Sequence, residues 1–239
     1  MGGEEENNFK LRPMKCELNY LSKSDGSAIL AQGETVVLVS VNGPLDIKST
    51  SQSIEKATLE VLFCSKGGKP SVADRFKENV IRQTCETAIL GTMYPRTGIS
   101  LTIQELEDFG GLLTCAVNCA CLALLNSGMA MRHMVAAVSC AVDDVGNLVL
   151  EPNYQQVQNS KALLNFVFES REKNLVTDIQ ITRIQKSKVR KQVYGSPDGF
   201  TEGSFSEDTY EEALARCRLA SDVVFDFYRD IVRKYSNVI

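Results

Sequence analysis

LLTCAVNCACLALLN, residues 112–126, is apolar on almost every side of a helical wheel. A helix at the surface of a globular protein shows one apolar stripe, whereas a helix apolar all round must be covered from several directions. The stretch therefore predicts a helix sandwiched between layers. Its three cysteines, in CAVNCAC, read as small apolar residues of a buried helix. At Leu112–Leu125 the run is too short to span a bilayer and is interrupted by Thr114 and Asn118. Ser127-Gly128 stops it.

On either side of this helix the pattern alternates between strand and helix. DGSA (25–28) reads as a turn between two extended segments, the second being ETVVLVSV, which ends at the breaker pair Gly43-Pro44. ATLEVLF (57–63) places Ala57, Leu59, Val61 and Phe63 on one face. A helix follows from about Val72 to Leu90, carrying Phe76, Val80, Thr84 and Ala88 at helical spacing, with Gly91 placed to end it. ISLTIQEL (99–106) is a strand and EDFGG a turn into the central helix. MVAAVSCAV and NLVL form a hairpin through DDVG. A polar loop then leads into a strand over Ala162–Phe168, and VTDIQIT (176–182) gives another. The last segment, Glu207 to about Lys234, is a long amphipathic helix. Its apolar face is Tyr210, Ala213, Leu214, Cys217, Ala220, Val224, Phe227 and Ile231, and Ser206 is its N-cap. Strands and helices in this order define an α+β protein with mixed sheets, built from two loosely similar halves.

Bulk properties exclude several classes of function. The 239 residues are 44% hydrophobic with a net charge of −4, so a uniformly basic nucleic-acid binder is excluded and any RNA contact must be local. Eight cysteines without paired CxxC spacing argue for reduced thiols rather than structural zinc. MGGEEENNFK (1–10) is a flexible acidic start, unlike a signal or transit peptide, and a poor myristoylation site because Glu6 stands where Ser or Thr is needed. A soluble protein is expected, with no membrane partner. No GxxxxGK[ST] is present. His133, the sole histidine, opens an apolar strand and reads as structural.

DGSAILAQGETVVLVSVNGP (25–44), ATLEVLF (57–63), YPRTGISLTIQELEDFGG (94–111) and MRHMVAAVSCAV (131–142) together resemble the RNase PH family, over roughly residues 15–232. These are phosphorolytic 3′-to-5′ exoribonucleases and their descendants in the exosome ring. EKATLEV (55–61) and the TCE…LGT…PRT succession are similar to ring subunits of the eukaryotic exosome. The resemblance implies an RNase PH-like (ribosomal protein S5 domain 2-like) fold, in which two βαβα-type halves, 11–132 and 133–239, have sheets that sandwich helices. It also implies sibling RNase PH-like subunits in a six-membered ring, cap subunits of OB-fold and KH type, and single-stranded RNA as a partner. Nuclear, nucleolar and cytoplasmic placement follows from it as well.

Active members of that family bind inorganic phosphate, which attacks the 3′-terminal phosphodiester. Arginine meets the phosphate charge, and paired carboxylates perform acid or metal work. Where they carry a GGTRT-like element, this chain has GGLLT (110–114), placing Leu113 at the arginine position. Where they carry a DLDYAEDSSAEVDMN-like stretch, it has EPNYQQVQNSKALLN (151–165), placing Val157 and Leu163 at the two aspartates. No aspartate lies between Asp144 and Asp178, so shifting the alignment does not recover a pair. Asp143-Asp144 reads as a polar hairpin turn, and Glu151 is the one residual carboxylate candidate. The reading is a non-catalytic ring subunit with no cofactor and no metal. The alternative is a residual phosphorolytic or metal-dependent exoribonuclease, which could act as a homodimer.

Lys66, Lys69, Arg75 and Lys77, in CSKGGKPSVADRFK (64–77), suit phosphate contact without sequence reading, or simply a solvated loop. Arg96, in YPRT, is either a further RNA contact or a structural ion pair. RIQKSKVRK (183–191) holds a second patch, Arg183, Lys186, Lys188, Arg190 and Lys191. It fits an RNA contact, a subunit contact or a solvated loop.

Overall fold

The computed structural model describes residues 11–48, 52–69, 71–143, 146–171, 173–182, 192–194 and 207–236. Strands β1 (Met14–Leu18), β2 (Gly26–Gln32) and β3 (Thr35–Asp46) form an antiparallel meander. β5 (Thr97–Glu107) lies antiparallel beside β3, and β4 (Thr58–Cys64) lies parallel beside β5, giving a mixed sheet of order β1-β2-β3-β5-β4. The second sheet has the order β10-β9-β8-β6-β7. It comprises β6 (Val135–Val142), β7 (Leu148–Leu150), β8 (Ala162–Glu169), β9 (Leu175–Thr182) and β10 (Gln192–Tyr194), paired antiparallel. Helix α1 (Val72–Ala88) follows β4, α2 (Leu112–Asn126) follows β5, and α4 (Glu207–Ser236) closes the described chain.

α2 is the layer between the sheets, packing on β2 and β3 on one side and β6 on the other. Twelve of its fifteen residues are buried, so the all-round apolar pattern has the cause inferred from it. Cysteine and alanine bring the layers close: Cys119 Sγ donates to Ala28 O at 3.2 Å and Cys115 Sγ to Leu30 O at 3.7 Å, weak bonds from helix to strand. Gly26 is required where β2 crosses the end of α2, because a Cβ there would stand 2.5 Å from Ser127 Cβ and 2.7 Å from Ala123 O. All eight cysteines are free thiols, and only Cys64 is not buried.

Asn118 is the polar exception inside α2. β8 flanks β6 along its whole length, but on the opposite edge β7 covers only Cys140 to Val142, so Ala137 has no strand on that edge. The Asn118 side chain takes the place of that strand. Its Nδ2 donates to Ala137 O at 3.0 Å, its Oδ1 accepts from Ala137 N at 2.7 Å, and Tyr228 OH of α4 adds a 3.0 Å bond to Oδ1.

The structure corrects several local expectations. DGSA is not a turn between β-segments that leads straight to ETVVLVSV: Gly26 already belongs to β2, a separate strand joined to β3 by Gly33-Glu34. β3 does not end at Gly43-Pro44. It continues to Asp46 across a register shift between Asn42 and Leu45, which takes the N–H-less proline out of the ladder. α1 ends at Ala88, because Ile89 turns extended and bridges Met131, and Gly91 opens a short 3-10 turn instead. Tyr154–Asn159, expected as loop, is a helical turn (α3) whose entry is fixed by Gln156 Oε1 accepting from Asn153 N at 2.8 Å. In α4 the buried face includes Ser221, Phe225 and Tyr228, while Leu214 and Phe227 are only half-buried. The helix meets both β6 and β8, so its covered face is wider than a single stripe. Ser206 lies outside the described residues.

α1 starts at a capping box that the sequence reading passed over. Ser71 Oγ accepts from Asp74 N at 3.2 Å, and Asp74 Oδ2 accepts from Ser71 N at 2.9 Å. Burial opposes ionisation of Asp74, but the Ser71 backbone N–H and hydroxyl and the Lys77 ammonium outweigh it and hold the carboxyl below its usual 3.8. A depressed carboxylate stabilises above its unfolded pKa and loses that contribution as pH falls through the folded one. Asp74→Ala is therefore expected to lower stability by about 1 kcal/mol at neutral pH, with the difference shrinking in acid below 3.8. Urea unfolding of both proteins across pH measures this.

Candidate functional site

The turn before α2 and the segment after β7 are locked together. Gly110 and Gly111 have φ of +104° and +69°, and a Cβ on Gly110 would lie 2.8 Å from Pro152 O and 2.9 Å from Tyr154 N. Tyr154 N donates to Phe109 O at 2.9 Å, and Thr35 Oγ1 donates to Gly110 O at 2.8 Å. Glu151 N donates to Ser139 O at 2.8 Å, fastening the same segment to β6. The stretches around Leu113, Val157 and Leu163 thus converge at one end of β6, where Leu163 pairs with Ala141.

The three positions carry no charge in that setting. Leu113 sits in the first turn of α2, half-buried against the core, Val157 is half-buried in α3, and Leu163 is half-buried near the start of β8. An arginine does reach the mouth of α2, but it comes from the chain's start. Arg12 Nη1 donates to Gly110 O at 3.1 Å, and its Nη2 stands 2.6 Å from where a Gly111 Cβ would be. Sequence reasoning missed Arg12, since nothing local marks a residue that pairs 139 positions away.

Its partner is Glu151, 3% exposed. Glu151 Oε2 accepts from Arg12 N at 2.6 Å and lies 3.7 Å from Arg12 Nε, while Oε1 accepts from Gln32 Nε2. Burial pushes the Glu151 carboxyl above 4.5, opposed by the Arg12 N–H and guanidinium and by Gln32. Both oxygens of Glu151, the residual carboxylate candidate, are thus engaged inside the protein. Arg12 is paired with Glu151 and bonded to Gly110 O through Nη1, while its Nε and Nη2 are buried without a hydrogen-bond partner among the described residues.

The predicted basic set divides in two. β4 and β5 run parallel, with Cys64 beside Gln104, so the loop holding Lys66 and Lys69 leaves at the end of the sheet where β5 turns toward Phe109. Arg96 precedes β5, a strand of 11 residues, and so lies about 33 Å away at the opposite end. Lys66 and Lys69 are exposed and ion-paired with no carboxylate among the described residues. Arg75 lies 3.8 Å from Glu78, and Lys77 is held by Asp74 at 3.4 Å and by the Phe63 ring at 4.5 Å. Lys66 and Lys69 are thus the two without an ion pair among the described residues, while the Arg75 side chain, 76% exposed, is held only by a screened surface pair. Arg183, Lys186, Lys188, Arg190 and Lys191 lie outside the described residues.

His133 Nδ1 is 3.6 Å from Glu169 Oε2, a packing position at the start of the second half. Asp143 sits in the β6–β7 turn, its N–H donating to Asn147 O at 2.9 Å, while Asp144 is outside the described residues. No group of three His, Cys, Asp or Glu among the described residues could hold a metal ion. No described helix is long and apolar enough to cross a membrane.

Two mixed strand-and-helix halves around a central buried helix match a known class. Residues 10–130 match the 3′ exoribonuclease family, domain 1, and residues 133–216 match domain 2. The chain belongs to the RNase PH family of 3′ exoribonucleases. Among its relatives are two proteins named exosome complex exonuclease RRP46 homolog. The one from Oryza sativa subsp. japonica is 30% identical, covering 94% of this chain and 92% of the relative, and the one from Arabidopsis thaliana is 31% identical, covering 92% and 90%. The crystal structure of rice Rrp46 superposes with a TM-score of 0.81 at 30% identity, covering 94% of this chain and 96% of that one.

Proposed function

We propose that this chain is a non-catalytic RNase PH-like subunit of an RNA exosome ring, which supports 3′-to-5′ RNA processing and decay by scaffolding and by guiding single-stranded RNA. Its partners are sibling RNase PH-like subunits and an OB-fold and KH cap, and its places of action are the nucleus, the nucleolus and the cytoplasm. One observation carries the loss of catalysis: the last carboxylate of the site, Glu151, is buried and bound by Arg12 and Gln32, with leucines and a valine at the other three positions. A phosphate at the mouth of α2 would meet Leu113 and an Arg12 guanidinium already paired with Glu151, and no free acid would stand beside it. Lys66 and Lys69 supply screened, sequence-independent attraction for RNA.

The relatives named exonuclease favour a second reading, in which the chain retains phosphorolytic or metal-dependent activity, completed by residues from a partner copy. A phosphorolysis assay separates the two. The purified chain is incubated with 5′-labelled single-stranded RNA, magnesium and inorganic phosphate, and then without phosphate. The expected result is RNA binding with no shortening and no nucleoside-diphosphate release. Phosphate-dependent shortening by the pure chain would establish the second reading. Lys66→Ala with Lys69→Ala is expected to weaken binding several-fold and to reduce the slope of log affinity against log salt by about 1 to 2.

A further inference from the structure

Beside the emptied site, the protein exposes two large aromatic side chains on segments it holds rigidly. Phe109 is 46% exposed and Tyr154 54% exposed, and their backbones are joined by the 2.9 Å bond from Tyr154 N to Phe109 O. Gly110 between them is wedged against 152–154, so neither residue belongs to a loose loop. α3 continues the surface with exposed neutral amides, Gln155 and Gln158 among them. Two exposed aromatic side chains on joined backbones, with the acids Glu107 and Asp108 before Phe109 and the neutral amides of α3 beyond Tyr154, are suited to nucleobases: rings stack on base faces and amides bond to base edges.

The occupant is further narrowed by charge. Lys66 and Lys69 leave β4 at the same end of the first sheet as the Phe109 turn. Asp108 is taken up by a 2.9 Å bond from Gly110 N. A phosphodiester chain would find cations on one side and flat rings on the other.

From this juxtaposition we infer that Phe109 and Tyr154 form a base-stacking platform for single-stranded RNA, with Gln155 and Gln158 at the base edges and Lys66 and Lys69 on the backbone. The inference rests on the RNA-guiding role proposed above and assigns that role a specific subsite. The chain retains RNA at the site without cleaving it.

The test uses the full-length chain and a fluorescein-labelled single-stranded 12-nucleotide RNA containing 4-thiouridine. Affinity is followed by anisotropy over a range of salt, and photo-crosslinks are mapped. Phe109→Leu and Tyr154→Leu are expected to weaken binding roughly fivefold to a hundredfold each with an unchanged salt slope, and Phe109→Trp and Tyr154→Trp to retain it. Crosslinks are expected at residues 109 and 154. Both positions are exposed, and unchanged thermal unfolding of the leucine variants confirms that folding is not the cause. Leucine variants within twofold of the parent, while the Lys66 and Lys69 substitutions weaken binding, would overturn the platform and leave the RNA-guiding role standing. No RNA binding by the parent chain would overturn both. Loss of association with other RNase PH-fold subunits at constant RNA affinity would assign the patch to protein and also overturn the platform.

Discussion

Replacing Arg12 with methionine is expected to destabilise the protein by about 3 to 5 kcal/mol at neutral pH, because it leaves the Glu151 carboxylate buried without its cation. Glu151→Gln is expected to lose a similar amount by stranding the guanidinium at the mouth of α2. The double substitution should lose less than the sum, since neither charge then remains to be compensated, with a coupling of about 2 kcal/mol. pH separates this from a simple packing defect. Burial is the main influence on Glu151 and raises its folded-state pKa above 4.5, with Arg12 opposing the rise. A carboxyl raised on folding contributes stability that is fully present below 4.5 and is lost as pH increases through its folded value. Without Arg12 the pKa climbs further, so the defect of Arg12→Met should be largest at neutral pH and shrink toward 4.5. Urea unfolding of the four proteins at both pH values measures the cycle. A coupling that does not change with pH would show that Arg12 acts through its aliphatic stem rather than its charge.

Asn118→Leu is expected to be comparably severe. The substitution removes three hydrogen bonds and leaves Ala137 N–H, Ala137 C=O and Tyr228 O–H without partners in a fully buried site. Unmet buried groups cost about 1 to 3 kcal/mol each, so a loss on the order of 4 kcal/mol is expected even though leucine adds apolar volume. Asn118→Asp should also destabilise, because it keeps the acceptor but cannot donate to Ala137 O and brings a charge into the core. Tyr228→Phe, which removes a single hydroxyl, should cost only about 1 kcal/mol. Chemical denaturation gives all three values. A near-neutral Asn118→Leu would mean that β6 does not depend on α2 for its missing strand partner.

Both predictions concern residues whose chemistry could be read but whose partners could not. Asn118 was legible only as an interruption in an apolar helix, and Glu151 only as the lone acid of an amide-rich segment. The contacts that define them run to Ala137, Tyr228, Arg12 and Gln32, as far as 139 residues away. Local periodicity carries no information about such pairs. The same limit explains the helix at Tyr154–Asn159: six residues with Val157 as the single aliphatic show no apolar stripe, and the turn is fixed by Asn153 and Gln156 together with the wedge of Gly110. It also explains the split of the basic residues, since only the parallel register of β4 against β5 reveals that Arg96 lies at the opposite end from Lys66 and Lys69.

What needed no structure was whatever depends on residue type and short spacing. The central helix and its burial between layers followed from an apolar pattern around its whole circumference, and most strands from alternation. The family followed from ordered motifs. Above all, that Leu113, Val157 and Leu163 carry no charge is a matter of residue type: folding can move a side chain, but it cannot give a leucine or a valine a guanidinium or a carboxylate. Folding did decide the fate of the charges that remain. It drew Arg12 and Glu151 into one buried pair and left Lys66 and Lys69 in solvent, because burial and pairing depend on which distant segments share a core.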